Sequence, residues 1–146
     1  MRSATAFLAA LLIALPTAAS ACLLPPLVTV TLEIDATAYP LIPESKTCDV
    51  EVPEGSDGKV LLTAATAQGC IAGWTGSYFP GLGFFVDGVD GRRAVCDTPV
   101  WLVHCTFWLL RVNGDFAATG IDGWAMADGD VYNFTYDRSG AGLPAP

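Results

Sequence analysis

The chain has 146 residues and a formal net charge of −8, with 7 Lys and Arg against 15 Asp and Glu. That balance repels phosphate backbones and argues against nucleic acid as a partner. It leaves a single exported domain as the simplest frame, because the first residues are written for export. Arg2 precedes the apolar run Phe7–Leu15, which is too short to span a bilayer; Pro16 breaks it, and Ala19-Ser20-Ala21 offers a small-x-small cleavage site. Residues 1–21 therefore read as a signal peptide, followed by a tether at 22–27, a domain over 28–137 and a flexible tail from 138 to 146.

Five cysteines make an odd number, which is informative in an oxidising compartment. Cys22 stands where a bacterial lipoprotein carries its lipid, although Ala19 occupies the place where leucine is favoured. Lipidation of Cys22 would leave Cys48, Cys70, Cys96 and Cys105 to form two disulfides, whereas ordinary cleavage would leave Cys22 a free thiol. A lipid at Cys22 is the membrane association the sequence offers.

In the mature chain, Leu27 to Asp35 alternates apolar and polar residues at period two, the mark of a half-buried strand. Cys48-Asp49-Val50-Glu51-Val52 alternates again, and the two runs form a hairpin with a long proline-punctuated loop. Ser56 or Asp57 then caps a helix whose apolar face is Val60, Leu61, Ala64, Ala65 and Ala67, ended by Gln68-Gly69. Gly73 to Gly83 reads as a glycine-rich aromatic loop. Phe84-Phe85-Val86 is a short strand and Asp87-Gly88-Val89-Asp90-Gly91 a turn. Thr106 to Val112 is a strand, Asn113-Gly114 the strongest hairpin signal, and Val131 to Tyr136 the closing strand after Asp128-Gly129-Asp130. This order implies an α+β fold: a small mixed sheet with one packed helix, β-grasp-like (ubiquitin-like), with first and last strands able to pair centrally.

The C-terminal stretch carries a more specific likeness. Trp108-Leu109-Leu110-Arg111-Val112-Asn113-Gly114, Thr119-Gly120-Ile121-Asp122, and Ala127-Asp128-Gly129-Asp130-Val131 ending in Phe134-Thr135-Tyr136 resemble the transcobalamin-like C-terminal domain, a family also known as a bacterial domain of unknown function. Upstream, Val52-Pro53-Glu54-Gly55-Ser56 leading into Leu61-Leu62-Thr63-Ala64-Ala65 looks like the strand-to-helix junction of that family. The resemblance implies a β-grasp-like fold and kinship with the smaller domain of intrinsic factor and transcobalamin, which contacts cobalamin. The large helical domain of those carriers is absent here, and the four mature cysteines are extra, so fold transfers better than ligand.

The candidate ligand contacts are aromatic: Trp108 and Trp124, which lie on the matching motifs, and Trp74, Tyr78 and Phe79, set among glycines. Each can equally fill the core, and alternation already assigns Phe107 and Phe134 there. The lengths of the intervening strand, about 17 Å, and helix, about 18 Å, nearly cancel and favour Cys48–Cys70 with Cys96–Cys105 among three connectivities. Wide spacing disfavours zinc on these cysteines. His104 stands alone, the aspartates are turn residues, and no catalytic signature occurs, so no catalytic residue, metal or cofactor is assigned. The reading is an exported non-catalytic domain binding a small molecule, with a cobalamin-like corrinoid as one ligand; a structural or adhesive surface module binding protein or glycan is the alternative.

Overall fold

A computed structural model describes residues 24–39, 43–97 and 104–138. The proposed signal peptide, Cys22 and the tail beyond Arg138 lie outside the described residues, as do the side chains of Cys96 and His104.

β1 (Leu27–Asp35) keeps the alternation of its sequence, with Val28, Val30, Leu32 and Ile34 buried on one face. β2 (Ser45–Pro53) pairs with it antiparallel along its whole length, from Leu27 opposite Pro53 to Asp35 opposite Ser45. The strand starts three residues before the expected Cys48, because Ser45, Lys46 and Thr47 are held by the backbone ladder and bury nothing that a hydrophobic pattern could reveal.

α1 (Gly58–Ala67) begins where the carboxylate of Asp57 accepts the N–H groups of Lys59 at 3.0 Å and Val60 at 3.1 Å. It ends at Gln68, with Gly69 at a φ of 78°. The buried stripe is Gly58, Leu61, Leu62 and Ala65, while the expected core residue Val60 is 41% exposed. That stripe has the i, i+3, i+4, i+7 spacing of one helix face. Gly58 belongs to it because a Cβ there would stand 2.8 Å from Ile121 Cβ.

Within the segment expected to be a loop, Trp74–Phe79 is instead a strand, β3, which pairs with β4 (Gly83–Val89), a longer version of the expected strand Phe84–Val86, with a register shift between Thr75 and Gly76. Its glycine content misleads: a side chain on Gly76 would collide with the ring of Phe84 and the carbonyl of Phe85, so that glycine permits close approach within a strand. Asp87 and Gly88 also lie inside β4, and the turn is confined to Asp90 (φ 51°) and Gly91 (φ 76°) before β5 (Arg92–Arg93).

β6 (Cys96–Asp97) pairs antiparallel with β7 (His104–Val112), and Asn113 (φ 52°) with Gly114 (φ 87°) turns β7 into β8 (Asp115–Phe116). A 3₁₀ turn at Ile121–Gly123 precedes β9 (Val131–Arg138), which runs antiparallel to β7 and parallel to β1. The described residues thus form an α+β fold of two sheets: β2-β1-β9-β7-β6 with β8 beside β7, and the smaller β3-β4-β5.

One core joins them. Val30, Leu32, Val50 and Val52 meet Leu61, Leu62 and Ala65 of α1, while Trp108, Leu110, Tyr132, Phe134 and Tyr136 continue the same apolar face toward β4. The disulfide Cys48–Cys70, with Cα atoms 6.1 Å apart, links β2 to the residue just beyond the helix. Cys105 is also disulfide-bonded, and Cys96 is its backbone partner across β6 and β7.

Candidate ligand cavity

The two sheets diverge where β7 and β9 face the β3–β4 hairpin, and between them lies a cavity of about 390 Å³. Its walls are consecutive residues of β4 and β7, from both faces of each strand, together with β9 and the chain that leaves β8. Phe85 and Val86 come from β4, Phe107 to Leu110 from β7, Phe134 from β9, Phe116 from β8, and Ala117 with Thr119, Gly120 and Ile121 from the segment after it. That volume falls in the range of small-molecule sites.

The hairpin is held against this segment by specific polar contacts. Leu82 accepts the Gly120 N–H at 2.8 Å, and a carboxylate oxygen of Asp122 accepts the Phe84 N–H, also at 2.8 Å. On the opposite wall, the indole N–H of Trp108 donates to the Arg92 carbonyl at 3.0 Å, and the Tyr136 hydroxyl lies 3.2 Å from the carbonyl of Arg93. These bonds fix the spacing of the sheets while adding no polar group to the cavity floor.

Three polar side chains reach the lining: Ser77, Asp87 and Thr119. Both oxygens of Asp87 accept hydroxyls from β3, one from Thr75 and the other from Ser77 at 3.0 Å. The register shift beside Thr75 brings both hydroxyls to one carboxylate. Among the described residues, Asp87 is the one charged residue of the lining.

The structure gathers two of the five aromatic candidates here. Trp108, 6% exposed, joins the core through an edge-on contact with Tyr136 and also lines the cavity. Phe79, 50% exposed, stands at the rim against Phe85. The other three lie elsewhere. Trp74 is half-buried, packs edge-on against Phe84 and lines a separate small cleft with Arg93. Tyr78 is 63% exposed and sits opposite Phe84. Trp124 packs against the core with its indole N–H buried and without a hydrogen-bond partner among the described residues.

Sequence reasoning passed over Phe85, Phe116, Ser77 and Asp87 as lining residues. Phe116 carried a weak signal, an aromatic just past the Asn113-Gly114 turn. Asp87 carried none, since an aspartate before a glycine reads as a turn.

Among the described residues no group of three or more His, Cys, Asp or Glu is placed to hold a metal ion, and no helix is long and apolar enough to cross a membrane.

The fold is similar to that of part of haptocorrin. The structure of haptocorrin in complex with Cbi aligns at a TM-score of 0.57 and 18% identity, covering 77% of this chain but 25% of haptocorrin. The chain thus spans about a quarter of that relative's length. A candidate metal-binding protein from Ruminococcus gnavus aligns at a TM-score of 0.55 and 15% identity, covering 77% of this chain and 98% of the other. At these identities the likeness speaks for the fold alone. No known family profile matches the chain, and no curated protein matches it in sequence.

Proposed function

We infer that the chain is an exported, non-catalytic domain that binds a small apolar molecule between its two sheets. The observation that carries this reading is the cavity itself: about 390 Å³, walled by aromatic and aliphatic side chains. Aromatic walls favour a flat or aliphatic body, because rings gain contact area with little loss of conformational freedom. The parallel pairing of β1 with β9, beneath a helix reached from the β1–β2 hairpin, supports the β-grasp-like, transcobalamin-related assignment. The disulfide Cys48–Cys70 supports an extracytoplasmic setting, since such bonds persist in oxidising compartments. A signal peptide over residues 1–21, a lipid at Cys22 and a Cys96–Cys105 bridge complete the proposal.

Haptocorrin makes a corrinoid the first ligand to test. A corrin ring with its side chains is bulky for a cavity at the low end of the usual range, so it would enter by an edge, between Phe79 and Phe116.

The test is calorimetric titration of the mature protein with cobinamide and, separately, with a neutral dye such as Nile red. Binding of either ligand, weakened at least fivefold in Phe116→Ala, is the expected result. Phe116 is 38% exposed, so its removal alters the cavity wall with little effect on the core. Binding that Phe116→Ala leaves unchanged, or no binding of either probe, would overturn the assignment of this cavity.

A further inference from the structure

The chemistry of the cavity wall narrows the class of ligand beyond "small and apolar". Among the described residues its charged character comes from one carboxylate, that of Asp87, set beside Phe79 and Phe85. Lys46, Lys59 and Arg92 are engaged with Glu44, Asp57 and Asp90, and among the described residues no ion pair is formed by Asp87. Its two hydrogen bonds come from the neutral hydroxyls of Thr75 and Ser77. Hydroxyls orient a carboxylate and leave its charge in place. An ionised carboxylate can accept about four hydrogen bonds, so acceptor capacity remains on each oxygen.

A lone negative charge beside an apolar wall is poorly hydrated on that side. It attracts a cation more strongly there than on an open surface, because the local dielectric is lower. The whole chain adds to this bias: a net charge of −8 draws cationic solutes and repels anionic ones. Carboxylate ligands, including fatty acids, are therefore disfavoured by the same wall that suits their tails.

We propose that the cavity selects an amphiphilic cation, an apolar body carrying one amine-type positive group that docks on Asp87. This inference rests on the binding role proposed above and specifies the ligand for that same cavity. The apolar body occupies the space between Leu110, Phe116 and Phe134, and the ammonium donates to the free lone pairs of Asp87, with Ser77 holding the carboxylate in place.

Three probes with one body separate this inference from the reading beneath it: 4-phenylbutylamine, 4-phenylbutanol and 4-phenylbutyrate, titrated calorimetrically at pH 7 into the mature protein. The amine is expected to bind at least tenfold tighter than the alcohol, and the carboxylate weakest of the three. That advantage should shrink between 20 mM and about 500 mM salt, where the Debye length falls to a few ångströms. In Asp87→Asn, whose amide oxygen accepts one of the two hydroxyls while its NH2 donates to the other after that hydroxyl rotates, the amine should lose its advantage over the alcohol. If that variant fails to fold, the selectivity and salt dependence of the unaltered protein decide the matter alone. Equal binding of the three probes, or a preference for the carboxylate, overturns the ligand class while leaving the cavity reading intact. Failure of all three, together with cobinamide and Nile red, removes both.

Discussion

Tyr132 shows how much of this protein is settled at single side chains. It is 0% exposed, and its hydroxyl has no hydrogen-bond partner among the described residues. Burial first, and the charge of Asp130 second, push its pKa from 10.0 up to about 12. Tyrosine is neutral when protonated, so a raised folded pKa means that the unfolded chain releases the proton first. Stability should therefore be intact below pH 10 and should fall between pH 10 and about 12 at roughly 1.4 kcal/mol per pH unit. Tyr132→Phe should remove that component, giving a shallower alkaline decline in urea unfolding, and should be no less stable than the parent at pH 7, since the lost hydroxyl made no bond. The sequence placed Tyr132 on an alternating strand and so at its face. It could not show that the hydroxyl would point into a site without an acceptor.

At the scale of the element, α1 was legible because its signals are local. Asp57 accepts the N–H groups of Lys59 and Val60, and Asp57→Ala should cost about 1 kcal/mol in chemical denaturation with little change of fold. The face of the helix was less legible: Val60 and Leu62 differ by two residues, and only the surface beneath decides which is covered. Of the β3–β4 hairpin only the Phe84–Val86 part of β4 was legible, and β3 was not, because glycine serves flexible loops and close packing alike. Its far turn is fastened by ions. Asp90 bonds Lys46 at 2.6 Å and the Ala72 N–H at 2.5 Å, and lies 3.8 Å from Arg92, whose guanidinium also meets Glu44. Asp90→Asn tolerates the left-handed backbone yet removes the charge, and should lower stability by about 2 kcal/mol. A loss below about 0.5 kcal/mol would mean that the cluster is held by its hydrogen bonds and hardly by its charges.

Across the whole molecule, the disulfide Cys48–Cys70 spans 22 residues and ties the hairpin to the end of the helix that covers it. Replacing both cysteines by alanine should lower stability by about 3 kcal/mol, read as a shift of the urea midpoint with an altered slope if the unfolded state expands. That bridge was within reach of the sequence, since strand and helix lengths carry the chain back to its start. So were β1, β7, β9, the Asn113-Gly114 turn and the α+β class, all of which depend on periodicity or on one residue's backbone preference. The cavity was not. Its walls come from β4, β7, β9 and the segment after β8, far apart in the chain, and their separation is set by bonds such as Trp108 to Arg92 and Asp122 to Phe84. Local patterns determine which side chains leave the water. Only tertiary packing decides whether two apolar faces close on each other or stop short and leave room, because that gap is a sum of long-range contacts with no local trace.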